Sequence, residues 1–251
     1  MNRKTSIVAQ IFAILLLIGY SACMSSPKEK ATPVDYVNPY IGNISHLLVP
    51  TYPTIHLPNS MMRVHPLRED FTGTQLHGLP VFLPTHRGHH VFNLLPFQGN
   101  TDDFLSVRAY DYDSEIVKPY YYEVYLDNVN TAVKFVPAHQ AAVYELNFQG
   151  KDVPQLIINA EKGTLHAVAN TVSGWQFIRN SQTKVYLYLE TDQFPVETTV
   201  SQADENVDVK LQFDLAARTV NVRYCPLSHL RTDGEDFRRL QLLQRFRQYG
   251  T

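Results

Sequence analysis

Two stretches carry side chains of the types that do chemistry. Thr85-His86-Arg87-Gly88-His89-His90 sets three imidazoles and a guanidinium around one glycine. Histidine is a common metal ligand, but His86 and His90, four apart, share a face only on a helix, and the flanking residues have strand character. No Glu or Cys stands close enough in sequence to complete a closed ligand set. The segment reads as a polar turn that presents hydrogen-bond donors to a ligand or a neighbouring domain. The second stretch is acidic: Asp102-Asp103, then Asp111-Tyr112-Asp113 and Glu115. Glycoside hydrolysis needs an acid and a base held apart across one bond. Neighbouring acids on strands and turns are ordinarily solvated, so no catalytic residue is expected here. No G-x-S-x-G, H-E-x-x-H, P-loop or dinucleotide fingerprint occurs.

A third chemical signal lies at the start. Asn2, Arg3 and Lys4 precede an apolar run from Ile7 to Ile18, which ends in Gly19-Tyr20-Ser21-Ala22-Cys23. The run is too short to span a bilayer as a helix and has the length of a signal-peptide core. Small residues before a cysteine suit a lipoprotein signal peptidase. Residues 1–22 are therefore expected to be a lipoprotein signal peptide, with Cys23 lipidated. The protein would then be lipid-anchored in a bacterial cell envelope, facing the periplasm or the surface. Residues 23–33 are polar and aperiodic, and read as a flexible tether. The only other cysteine, Cys225, would have no intrachain partner, so the fold must hold without disulfides.

The elements that must position these groups have two textures. Seven of the ten histidines fall between His46 and His90, in a stretch that also holds eight prolines from Pro39 to Pro96. Proline removes ladder donors, so this third should be loop-rich, with short strands at Met61–His65, Leu79–Leu83 and Val91–Leu95. From Ser106 onward short alternating segments recur: 120–126, 132–136, 141–148, 156–159, 175–178, 185–189, 207–213 and 219–224. Turn residues punctuate them. This pattern predicts an all-β, antiparallel sandwich. Beyond it, Thr232-Asp233-Gly234-Glu235 has capping-box spacing, and Phe237, Leu240, Leu243 and Phe246 follow at helical intervals. Residues 225–251 are expected to form a tail with one short helix. A net charge of −2 supplies no field for nucleic acid.

Val37-Asn38-Pro39-Tyr40-Ile41-Gly42 resembles the V-N-P-F-I-G-T opening of glycoside hydrolase family 92. Thr51-Tyr52-Pro53-Thr54 and Leu57-Pro58-Asn59-Ser60-Met61 resemble its T-Y-P-G-A and L-P-F-G-M runs. Asp113-Ser114-Glu115 stands where S-H-E is usual in that family. The resemblance covers residues 34–224. It implies a β-sandwich domain that packs on an (α/α)6 barrel in calcium-dependent, inverting α-mannosidases. Calcium and the catalytic carboxylates would belong mostly to the barrel, leaving no cofactor and no metal in this chain. The resemblance further implies that Tyr40, Gly42, His46, Tyr52 and His86 lie on loops facing a carbohydrate, a mannoside-like glycan. The expected function is a carbohydrate-binding or pocket-shaping domain without hydrolase activity of its own. Two alternatives stand beside it: a surface glycan-binding lipoprotein acting by itself, and a docking module for a separately encoded helical barrel.

Overall fold

The computed structural model describes residues 31–44, 47, 51–68, 73–85, 89–99 and 109–227. The expected signal peptide, Cys23 and the C-terminal helix lie outside these residues, as do His46, His86, Asp102 and Asp103. The chain divides into two compact units, residues 1–36 and 37–251. In the first, a 3-10 turn at Pro33–Tyr36 is closed by Asp35, whose Oδ2 accepts from the Thr32 amide at 2.7 Å and from the Thr32 hydroxyl at 2.8 Å.

The second unit is built from antiparallel strands. In its loop-rich part come β1 (Ile55–His56), β2 (Arg63–Val64), β3 (Gln75–Leu76), β4 (Leu79–Phe82) and β5 (Val91–Gln98). Then follow β6 (Tyr110–Lys118), β7 (Tyr121–Leu126), β8 (Thr131–Pro137), β9 (Ala142–Phe148), β10 (Pro154–Glu161) and β11 (Gly163–Val168). The last are β12 (Thr171–Phe177), β13 (Lys184–Thr191), β14 (Glu197–Ala203), β15 (Asn206–Gln212) and β16 (Thr219–Leu227). One sheet has five strands in the order β14-β15-β10-β5-β4; the other has nine, β11-β12-β13-β16-β9-β8-β7-β6-β3. A two-stranded ribbon, β1-β2, accompanies them. This is the expected all-β sandwich.

Alternation explains the large sheet. In β13, Val185, Leu187, Leu189 and Thr191 are buried while Lys184, Tyr186, Tyr188 and Glu190 are not. The inward residues of β7, β8, β9 and β16 follow the same period of two and form one apolar core with β5, β10 and β15. Fully burying one such Leu, Val or Phe stabilises by about 1.5–3 kcal/mol. Tyrosine adds polar stitching between the layers. The buried Tyr144 hydroxyl donates to the Pro80 carbonyl at 3.1 Å, and that of Tyr110 to the Pro96 carbonyl at 3.0 Å. A third stitch meets an irregularity. Phe92 has a positive φ of 53°, and its amide is taken up by Gln176 Oε1 at 2.9 Å. An orphaned buried amide would otherwise cost about 1–3 kcal/mol.

Candidate functional site

The first matched motif folds into a tight double turn. Asn38 Oδ1 accepts from the Tyr40 amide at 3.0 Å, which is an Asx-turn, and Pro39 pre-sets the backbone inside it. The Ile41 amide then donates to the Asn38 carbonyl and the Asn43 amide to the Tyr40 carbonyl, both at 3.2 Å. Gly42 closes the turn at φ 87°, where a Cβ would lie 3.0 Å from Thr51 Oγ1. Its carbonyl accepts from the Thr51 amide at 2.9 Å, which ties Thr51, and hence the second motif, to the first.

Tyr40 is held from beyond the turn. Its hydroxyl donates to Glu115 Oε2 at 3.0 Å, and the Tyr122 hydroxyl donates to Glu115 Oε1 at 3.1 Å. Arg68 Nη2 also donates to Glu115 Oε1 as an ion pair, both side chains being at least nine-tenths buried. Arg68 Nη1 donates to the Tyr112 hydroxyl at 2.9 Å, with the guanidinium 5.1 Å from that ring's centroid. Glu115 is therefore a buried carboxylate with three donors, and Arg68 Nε is buried without a partner. Burial, then the Glu115 charge, raise the Tyr40 phenol well above its ordinary range, and the same two causes act on Tyr122. Both hydroxyls stay protonated and remain donors.

The strand that delivers Glu115 does so through an irregularity. In β6 the register with β7 shifts between Asp113 and Ile116, so that Ser114 and Glu115 together oppose Val124. Ser114 takes a left-handed φ of 54°. Before this bulge Tyr110 and Tyr112 face inward; after it Glu115 and Val117 do, and Ile116 is exposed. One extra residue has swapped the faces.

Beside this group, Tyr52 stacks on His65, ring centroids 4.1 Å apart and planes 16° from parallel. His65 Nδ1 lies 2.9 Å from the Pro66 carbonyl, which can only accept, so Nδ1 carries the hydrogen. Nε2 is then the acceptor of a neutral ring, buried without a partner. Burial brings the His65 pKa down to about 4; the Pro66 bond opposes this, and the charges of Arg68 and His90 add to it.

Of the residues expected from the sequence, Tyr40 and Gly42 share one turn, and Tyr52 packs on His65. His46 and His86 fall outside the described residues. The expectation that the acids near Glu115 are solvated holds for Asp111 and Asp113, which are exposed. It fails for Glu115, because the bulge turns that carboxylate into the protein. Arg68, Tyr112 and Tyr122 had no signal of their own in the sequence.

The profile of the glycosyl hydrolase family 92 N-terminal domain matches residues 36–225. The chain belongs to that family. Three solved structures are similar to this family 92 domain. An inverting mannosidase of family 92 from Bacteroides thetaiotaomicron VPI-5482 superposes with a TM-score of 0.68 at 20% identity, over 80% of this chain and 32% of the other. A family 92 α-mannosidase from Bacteroides thetaiotaomicron gives a TM-score of 0.64 at 15% identity, over 82% and 34%. Another family 92 glycosyl hydrolase gives 0.56 at 15% identity, over 70% and 30%. At these identities the likeness establishes the fold. This chain spans about a third of the length of the first two. No curated protein matches it in sequence.

The donors of this family 92 site do not suit calcium, which takes six to eight oxygen ligands. Glu115, its one buried carboxylate, is neutralised by Arg68 and has accepted two phenol hydrogens besides. Among the described residues no group of three or more His, Cys, Asp or Glu could hold a metal ion.

Proposed function

We propose that this family 92 N-terminal domain shapes one wall of a carbohydrate pocket for a mannoside-like glycan, the other wall coming from a helical barrel. The observation that carries this reading is the rigid seating of the Tyr40–Gly42 turn by Glu115, Arg68 and Tyr122. A loop that meets a sugar must be pre-positioned, since ordering it on binding would consume affinity. Exposed apolar side chains in and near the turn, including Ile41, Ile44 and Leu47, support a partner surface on the same side. That observation also favours the second reading, a docking module for a separately encoded barrel.

Hydrolysis by these 251 residues alone is not part of the proposal. Inversion needs a protonated acid and a free carboxylate base about 6.5–9.5 Å apart, with room for water between them. Glu115 is held in an ion pair with Arg68 and accepts from two phenols, so it is not a free base. The purified chain should release no mannose from α-linked mannosides, with calcium or with a chelator. It should bind mannose only weakly, with Kd near 1 mM, about −4 kcal/mol. Calcium-dependent turnover that is lost on replacing Glu115 would overturn the reading.

A further inference from the structure

The small sheet ends on one side at β14, in an edge with no guard. Proteins keep unpaired strand edges apart by short length, proline, lysine or a bulge. Of the other strands that end a sheet here, β3 has two residues, β4 has four with Pro80 among them, and β11 has six and opens with Gly163. β14 has seven, with no proline, glycine, lysine or arginine, and its register with β15 is unbroken from Glu197 to Ala203. Among the described residues nothing is hydrogen-bonded along its outer side.

A row of the core runs out through this edge. Leu94, Ile158, Val209 and Val200 stand opposite one another in turn across β5, β10, β15 and β14. The first three are fully buried, whereas Val200 is 53% exposed. The apolar row therefore reaches the last strand and stops there uncovered. Val200 is also the middle residue of β14, and the residues on its two sides complement each other. Turned about a twofold axis at Val200, the strand sets Val200 against Val200, Thr199 against Ser201, Thr198 against Gln202 and Glu197 against Ala203. Apolar meets apolar, hydroxyl meets hydroxyl on the opposite face, and the one charge of the strand meets no other. Glu205, the acid that the axis brings diagonally nearest to Glu197, is already paired with Lys162 at 3.0 Å.

We propose that β14 is a dimerisation edge, at which a second copy of this chain adds its own β14 antiparallel across a twofold axis at Val200. The two five-stranded sheets become one continuous sheet, and the row from Leu94 to Val200 passes into that of the second copy. A foreign strand would have to bring the matching pattern; a second copy carries it. The contact is one ladder wide and smaller than the roughly 1,000 Å² of a standard interface, so a Kd on the order of 10–100 μM is expected.

The full chain is studied with Cys23→Ser, which leaves the buried Cys225 as its single thiol. Sedimentation velocity between about 5 and 500 μM should show a monomer giving way to a dimer. Val200→Lys sets two ammonium groups face to face and should raise the Kd at least about tenfold, with far-ultraviolet circular dichroism unchanged. Val200→Cys tests the axis itself. Directly opposed residues bring their Cβ atoms to about 4.5–5.5 Å, so mild oxidation should join two copies by a disulfide. Val168→Cys, on β11 and still more exposed at 74%, should cross-link at least about tenfold more slowly. A chain that stays monomeric at about 500 μM overturns the proposal and leaves the edge to a strand of another protein. So does a dimer that Val200→Lys does not weaken, or a Val168→Cys variant that cross-links as fast as Val200→Cys.

Discussion

His65 stays neutral because its charged form would have to leave water for a site walled by the Tyr52 ring. Its folded pKa of about 4 lies below the ordinary histidine value of 6.5. The unfolded chain therefore binds a proton between those values that the folded chain does not. The stability this represents is fully present above pH 6.5 and is lost as the pH falls toward 4, by about 3 kcal/mol. His65→Phe keeps a ring on Tyr52 and removes the titration. Its urea-unfolding free energy should fall less over that window than the parent's, part of the fall remaining because burial also holds His90 below its ordinary value, and the difference between the two is the measurement. At this scale the sequence was half legible. Tyr40, Gly42 and Tyr52 stood in motifs that could be matched by eye, whereas the partners that hold Tyr40 did not. Arg68 is distant in sequence, and Glu115 reads as one of several neighbouring acids that are ordinarily solvated, on the face that strict alternation turns outward.

That misreading belongs to an element, β6. Alternation by two holds from Tyr110 to Tyr112 and resumes at Glu115, one residue out of phase. Deleting Ser114 should restore an unbroken ladder in which Glu115 alone opposes Val124 and still faces inward, since Asp113 before it and Ile116 after it face out. Glu115→Ala, which leaves the Arg68 guanidinium buried without its counter-ion, should cost about 3–5 kcal/mol in urea unfolding, whereas deleting Ser114 should cost far less. Ser114→Gly, which keeps the bulge and removes the left-handed strain, should stabilise by up to about 1 kcal/mol. Other elements were hidden for a similar reason. β14 is an edge strand with both faces open, so Glu197 to Ala203 has no apolar rhythm to detect. Pro96 appeared to end a strand at Leu95, yet β5 runs through it to Gln98. The strands that were legible, such as β7, β8, β9 and β13, are flanked by neighbours on both sides with one face in the core.

For the molecule as a whole, the sandwich class followed from the spacing of strands and turns, but the order of strands within each sheet did not. Alternation says which face is inside and nothing about which strand lies alongside. The proposed attachment at Cys23 is also a property of the whole molecule, since it decides where the domain works. Cys23→Ser should abolish incorporation of labelled palmitate and shift the protein out of the membrane fraction. Retention of the label in that variant would remove the lipoprotein assignment.

The position of β16 has a consequence for how the domain comes into being. This strand is the last in chain order among those described, yet it lies inside the large sheet, paired to β9 on one side and β13 on the other. Until Thr219–Leu227 leaves the ribosome, the sheet exists only as two ribbons, each with a raw inner edge. Assembly of the large sheet must therefore wait for synthesis to pass that point. A stop codon just before the Asp214–Arg218 connection would not simply trim the protein. It would leave two adhesive borders facing one another with nothing between them.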